Sequence, residues 1–366
     1  MGSICIAVLG AGTWGMALAR MLSVNGHEVT VWSALPHEIE QYARDRVHPN
    51  LPGMTIPQEI VFTGDIQEAC QGKKIVLFAV PSVYVRSTAK LAASFVTKEQ
   101  ILVDVAKGLE PDTLMTMSQV IEDELVRAGA PDVPVVALSG PTHAEEVALD
   151  LPTTIVAASR YSEAAAFVQQ VFTNRAMRVY TNGDVLGVEL CGALKNIIAL
   201  AAGISAGLGF GDNAKAALIT RGLSEIHRLG LCLGCREETF SGLAGVGDLI
   251  VTATSRHSRN NRAGFLIGSG KSAEEAKREV GMVVEGINAI PAAIALSKRC
   301  GVEMPITFAV SRIVAGRQSP REAVEELMGR RKRDENDREG YGLTSEAALL
   351  GNEAASMAES VRTIGA

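Results

Sequence analysis

Aromatic residues are scarce in this 366-residue chain, at 4% of the total, with two tryptophans, five tyrosines and nine phenylalanines. Its interior must therefore close on small aliphatic side chains and on the 36 glycines, which let helices approach one another closely. An excess of basic charge is also missing. Lys and Arg number 35 against 41 Asp and Glu, and the net charge of −6 argues against nucleic acid as a partner, because neutralising phosphate needs a basic surface. No long apolar span is present: the uncharged run Asn196 to Gly211 is rich in glycine and short of the ~20 residues that cross a bilayer, so membrane insertion is not expected. No basic stretch precedes the apolar residues from Ile4, which read as a strand rather than a signal peptide. Met1-Gly2 resembles a myristoylation start, but Ile6 stands where a hydroxyl is required. Of six cysteines, Cys232 and Cys235 form a C-x-x-C, yet no second pair or histidine lies at zinc-site spacing. The thiols read as reduced and no metal is expected. These exclusions leave a cytoplasmic globular protein, long enough for two domains.

The first half alternates short apolar runs with helical patterns. Strand-like runs are Ile4–Leu9, Glu28–Trp32, Ile75–Val80, Ile101–Val105, Val133–Leu138 and Pro152–Ala157, mostly continuous as in parallel strands buried on both faces. Helical patterns such as Trp14–Val24 and Thr113–Ala128 lie between them. This βαβ rhythm predicts an α/β fold, a doubly wound Rossmann-type sheet over residues 1–188. From Glu189 strand signals stop and helix signals repeat, predicting an all-helical domain over 189–335 joined directly to the sheet. Ser272 with Glu275, and Ser319 with Glu322, are capping boxes that start helices there. The segment Arg330–Glu339 carries five basic and four acidic residues and reads as a solvated end or linker. Residues 336–366 read as a polar, alanine-rich tail.

Within this frame one lysine stands out. Between Leu190 and Phe210 the only ionisable groups are the thiol of Cys191 and the amine of Lys195. A buried ammonium is disfavoured unless it is paired or lines a polar cavity, and the alternative is a side chain that runs along the helix to water. Other segments supply possible company. Gly10-Ala-Gly12-Thr-Trp-Gly15 follows a strand and opens a helix, the context in which G-x-G-x-x-G binds a dinucleotide diphosphate. After Trp32, where an NAD site usually carries Asp or Glu, stand Ser33, Ala34 and Leu35, with no carboxylate before Glu38. Arg44 and Arg46 are remote partners for a 2′-phosphate, and the choice between NAD and NADP stays open. Pro81 and Ser82 end one strand, and Lys107 follows another, at the sheet edge where ligands bind. His143, alone in a turn, is left outside the chemistry. Asp248 opens a helix after a glycine-rich run, with an N-cap as its plain reading. Ser255 to Arg262 gathers three arginines with hydroxyls and amides, a composition suited to phosphate or to a solvated loop.

Taken in order, GAGTWGMALA from Gly10, LPG at Leu51, AVPS at Ala79, AKGLE at Ala106, LSGPTHAEEVA at Leu138, GVELCGALKN, GDNAKAALITRG, GLAGVGDLIVT, SRN at Ser258 and VVEG at Val283 resemble the bacterial NAD(P)-dependent glycerol-3-phosphate dehydrogenases. The resemblance covers nearly the whole chain. It implies reduction of dihydroxyacetone phosphate to sn-glycerol 3-phosphate with NADH or NADPH, and the reverse, serving glycerophospholipid synthesis in a homodimer. It makes Lys195 the catalytic residue. Lys107, Gly140, Thr142, Asn196, Asp248, Thr252, Ser258, Arg259 and Asn260 are implied around the phosphorylated triose. Gly10, Gly12, Thr13, Trp14, Gly15, Ser33, Pro81, Lys107, Ala144, Arg259, Val283 and Glu285 are implied around the cofactor. The chain departs from the family at Thr142-His143, where Ser-Phe is common. It departs also at Ser33-Ala34, where many members carry arginine, and in the longer tail. Two rivals are another two-domain Rossmann dehydrogenase, such as a ketopantoate reductase, and a non-catalytic dinucleotide sensor.

Overall fold

The computed structural model describes residues 2–332 and Glu335; the expected tail and most of the charged segment after Lys332 lie outside the described residues. Eight strands form one sheet: β1 Cys5–Leu9, β2 Glu28–Trp32, β3 Val61–Thr63, β4 Ile75–Phe78, β5 Ile101–Asp104, β6 Val135–Ser139, β7 Thr153–Ala158 and β8 Met177–Asn182. Their order is β3-β2-β1-β4-β5-β6-β7-β8. All neighbours are parallel except β6 and β7. The order reverses between β1 and β4, which opens a crevice at the strands' carboxyl ends. Seven helices serve the sheet: α1 Thr13–Val24, α2 Pro36–Asp45, α3 Ile66–Cys70, α4 Ser82–Ala92, α5 Met117–Arg127, α6 Ala144–Ala148 and α7 Ser162–Phe172. Apolar side chains from both sheet faces form separate clusters, which is why β1, β4 and β5 read as unbroken apolar runs.

Two strands escape a reading based on such runs. β3 has three residues, and β8 alternates buried and exposed positions through Arg178 and Tyr180 at the sheet's edge. β7 runs antiparallel because the chain leaves β6 at the carboxyl edge and re-enters there. The five residues of α6 never cross the sheet, so no parallel crossover forms. Helix α5 starts at Met117 rather than Thr113. Gln119 reaches back to the Thr116 N–H (3.0 Å), and Leu114 takes a left-handed φ of 62° in the preceding turn.

The helical part follows as α8 Val185–Gly207, α9 Asp212–Cys232, α10 Glu237–Ser241, α11 Asp248–Thr254, α12 Arg259–Gly268 and α13 Ala273–Val280. It ends with α14 Glu285–Asn288, α15 Ile290–Cys300, α16 Pro305–Val314 and α17 Pro320–Met328. Ser272 caps α13 and Ser319 caps α17, each in a closed box with its glutamate. Helix α8 is the axis of this part: Asp184 caps it by accepting from Gly187 N (3.0 Å), and every residue from Gly187 to Ser205 is buried. The boundary read at 188/189 therefore falls in its first turns. By length and composition α8 could cross a membrane, but 89% of its apolar window is buried inside the protein. Small residues allow that burial. Gly203 and Gly207 of α8 lie directly against the backbone of α12, and Gly264 and Gly268 of α12 against α8, so a Cβ at any of the four would strike a carbonyl or amide.

Candidate active site

Lys195 sits midway along α8 and is 4% exposed. Its ammonium does not reach water along the helix. It donates to Asp248 Oδ1 and to Thr252 Oγ1 (2.6 Å), both on α11. Asp248 is 0% exposed and does not cap its helix; that position belongs to Gly247, at the end of a π-helical turn over Leu243–Gly247. The wider turn re-aims the first residue of α11 inward, a use such turns often have at functional sites. Asp248 Oδ2 accepts from Lys107 Nζ (2.8 Å), which comes from the loop after β5. One buried carboxylate thus stands between two ammoniums delivered by different parts of the fold.

Lys107 also donates to the Gly140 carbonyl (3.0 Å) and to Thr142 Oγ1 (3.4 Å), in the turn after β6. Helix α8 lies close to both, since a Cβ on Gly192 would sit 3.0 Å from Ser139 Oγ and 3.5 Å from Lys107 Cγ. Burial pulls the Lys195 ammonium down from an ordinary 10.5 to about 7. Asp248 opposes that pull, and the Lys107 cation reinforces it. His143 is nearer than its sequence setting implied. It lies against the Val251 backbone and in the field of Lys195, with its ring centroid 5.8 Å from that of His257. Burial and that cation keep its imidazole neutral, with pKa below the ordinary histidine value.

On the other side of Lys195, Asn196 accepts from Asn260 Nδ2 (2.9 Å), and Asn260 Oδ1 accepts from Gly286 N (2.8 Å). This chain ties α8, α12 and α14 together. Ser258 caps α12 through Asn261 N (3.2 Å), which aligns Arg259 and Asn260 in its first turn. Arg259 is half-buried with no hydrogen bond or ion pair among the described residues, although Glu285 and Glu145 lie within electrostatic reach. Burial lowers its pKa, yet a guanidinium stays charged. A partly desolvated cation of this kind is suited to an anionic ligand.

The crevice at the β1–β4 switch supplies the remaining expected positions. Gly10 has φ 122°, and a Cβ there would come within 2.7 Å of the Ala79 carbonyl. Gly15 lies against Gly10 so closely that a Cβ would strike its carbonyl, whereas a Cβ on Gly12 would meet no protein atom within 4 Å. Helix α1 starts beside Gly12 with neither a side-chain cap nor an acidic residue in its first turn. Thr13 Oγ1 is buried without a partner, and Trp14 packs on the sheet core. Such an open, uncapped N-terminus fits a dinucleotide diphosphate. Pro81 precedes α4, and Ser82 holds Glu285 from the helical part through its N–H (3.0 Å) and hydroxyl (2.5 Å). Ala144 begins α6, and Val283 lies in the loop before α14. At the far end, buried Ser33 donates its hydroxyl to Glu38 Oε2 (2.5 Å), a pairing that four intervening residues had hidden.

A doubly wound sheet with an uncapped glycine turn, and a buried lysine on the adjoining helix, together define a two-domain dinucleotide-dependent dehydrogenase. Comparison with known proteins specifies it further. Residues 5–165 match the NAD-dependent glycerol-3-phosphate dehydrogenase N-terminus, and residues 184–325 match the C-terminus of the same family. The chain is 66% identical over 331 residues to glycerol-3-phosphate dehydrogenase [NAD(P)+] 2 of Lactobacillus delbrueckii subsp. bulgaricus, covering 90% of this chain and 98% of that protein. It is 50% identical over 333 residues to glycerol-3-phosphate dehydrogenase [NAD(P)+] of Bacillus subtilis, covering 90% and 95%. The crystal structure of glycerol-3-phosphate dehydrogenase from Coxiella burnetii superposes with a TM-score of 0.85 at 37% identity, over 90% of this chain and 99% of that one. A ketopantoate reductase from Ralstonia eutropha, at 16% identity and a TM-score of 0.54, shares the fold alone. The chain belongs to the NAD-dependent glycerol-3-phosphate dehydrogenase family.

Proposed function

We propose that the chain interconverts dihydroxyacetone phosphate and sn-glycerol 3-phosphate, with Lys195 moving the proton at the C2 oxygen. The observation that carries this reading is the buried lysine, held by Asp248 and Thr252 and drawn down to about 7. When bound, the nicotinamide of NADH or NADPH supplies the hydride to C2. Charge then develops on the carbonyl oxygen, and a positioned donor near neutrality stabilises it. Lys195 fills that role in reduction and takes the proton back in oxidation. Asp248 fixes the ammonium's direction, and Lys107 keeps Asp248 from claiming the proton's whole charge. Arg259, with Asn260 and the Ser258 cap behind it, grips the phosphate; Gly140, Thr142, Asn196 and Thr252 line the space between. That remote grip holds C2 in place, where orientation is worth several kcal/mol.

For the cofactor, Gly10, Gly12, Thr13, Trp14 and Gly15 take the diphosphate. Pro81, Lys107, Ala144, Arg259, Val283 and Glu285 surround the nicotinamide half, and Ser33 the adenine ribose. Residues 1–188 act as the dinucleotide domain and 189–335 as the catalytic one. We place the enzyme in the cytoplasm, supplying glycerol 3-phosphate for phospholipid synthesis, and working as a homodimer. The deciding experiment follows NADH and NADPH absorbance with dihydroxyacetone phosphate beside unphosphorylated ketoacids. Turnover confined to the phosphorylated substrate is expected. Turnover of a ketoacid instead overturns the substrate assignment, and binding without any turnover makes the protein a sensor.

A further inference from the structure

The tips of β2 and β3 carry a feature that dinucleotide binding alone does not require. Ser33, the first residue after β2, donates its hydroxyl to Glu38 Oε2 at 2.5 Å and accepts from Leu35 N at 3.2 Å. These bonds fold the start of α2 back, so that Glu38 in its first turn faces the strand tip. The neighbouring tip repeats the arrangement. Ser33 N bonds the Thr63 carbonyl (3.3 Å), and Thr63 donates its hydroxyl to Glu68 (2.5 Å). Two carboxylates are thereby fixed at adjacent strand ends, where an adenine ribose lies in a sheet of this topology.

The two arginines that follow in and after α2 make other bonds. Arg44 makes a two-pronged pair with Asp45 (2.7 and 3.0 Å) on the outer side of α2. Arg46 is spent on backbone, donating to the carbonyls of Ala43 (3.1 Å), Pro57 (3.0 Å) and Ile60 (2.9 Å), with its guanidinium over the Phe62 ring. Neither can turn to a phosphate without giving up those bonds.

We infer that Glu38, held by Ser33 and backed by Glu68, is the residue that selects NAD(H) over NADP(H) in this chain. The carboxylate accepts from the ribose 2′-hydroxyl through lone pairs that Ser33 leaves free. A 2′-phosphate in the same place brings like charge against it, with no guanidinium to answer. The inference rests on the reading that the β1–α1 turn takes the dinucleotide, and its test separates the two.

The measurement is binding, read from tryptophan fluorescence. Trp14 and Trp32, the chain's two tryptophans, both flank the proposed cleft. Titrations use NADH, NADPH, AMP and adenosine 2′,5′-bisphosphate, with calorimetry as a second readout, on the full chain and on Glu38→Gln. NADH should bind tighter than NADPH on the order of 10- to 100-fold, and AMP tighter than its 2′-phosphorylated analogue by a similar factor. Glu38→Gln keeps an oxygen for Ser33 and removes the charge, so it should narrow both ratios about tenfold, mainly by improving the 2′-phosphorylated ligands. Equal affinities in the natural chain, or ratios unchanged in Glu38→Gln with circular dichroism intact, overturn the role of Glu38. Failure of every dinucleotide to bind overturns the cleft reading itself.

Discussion

Asp248→Asn is the most informative perturbation of the proton-transfer site. Asparagine keeps the shape and one carbonyl acceptor, and removes the charge shared by Lys195 and Lys107. At contact distances near 3 Å, a carboxylate–ammonium attraction is worth roughly 3–6 kcal/mol for effective dielectrics of about 20–40. Losing it depresses the Lys195 pKa by about 2 units or more, since one unit corresponds to ~1.36 kcal/mol. A value of about 7 then falls to about 5. With Lys195 as the proposed proton donor, reduction requires the protonated lysine, so activity is lost as pH rises through that value. The alkaline limb of kcat/KM for dihydroxyacetone phosphate should therefore move from near pH 7 to near pH 5, and the rate at pH 7.5 should fall on the order of 100-fold. The assay is NADH oxidation between pH 5 and 9, with the cofactor Kd measured in parallel to show that the cleft persists. A variant whose limb stays near pH 7 refutes the claim that Asp248 holds the proton on Lys195.

Other substitutions test separate parts of the site. Arg259→Ala removes a half-buried cation from the first turn of α12, and KM for dihydroxyacetone phosphate should rise on the order of 100-fold, consistent with the loss of charge-assisted bonds of about 1.5–3 kcal/mol each; an unchanged KM puts the phosphate elsewhere. Gly12→Ala meets no protein atom, so its melting temperature should match the natural protein while NADH affinity falls at least tenfold, an outcome read by differential scanning calorimetry and titration. Gly15→Ala drives a methyl into the Gly10 carbonyl and should lower the melting temperature itself. Equal behaviour of the two variants contradicts the account of the turn.

What the sequence makes legible here is whatever is local. The glycine turn after β1 could be read because strand, glycines and helix follow within twenty residues. The capping boxes of α13 and α17 each span four. Lys195 could be singled out because it is the one charged residue between Leu190 and Phe210. The partners of these residues were beyond local reading. Asp248 is 53 residues from Lys195 and 141 from Lys107, and its plain reading was an N-cap. The wider turn before α11 decides otherwise, and no spacing rule announces it. Glu285 meets Ser82 across 203 residues, as domain packing brings α14 over the tip of β4. Glu38 looked too far from Trp32 to matter until the Ser33 hydroxyl drew it back. Strand β8 was missed because its polar alternation suits an edge, and β7 gave no sign of its direction, since direction depends on which edge the chain re-enters.

The central claim is that Lys195 carries the proton, and one comparison addresses it directly. The pH profile of dihydroxyacetone phosphate reduction is measured for the natural enzyme and for Lys195→Ala, with and without added primary amines. Removing a general acid typically lowers the rate about 10²–10⁴-fold. The account predicts a loss of that size, disappearance of the limb near pH 7, unchanged NADH affinity, and partial recovery by the amines. Near-normal turnover in Lys195→Ala, with the limb still in place, would contradict it.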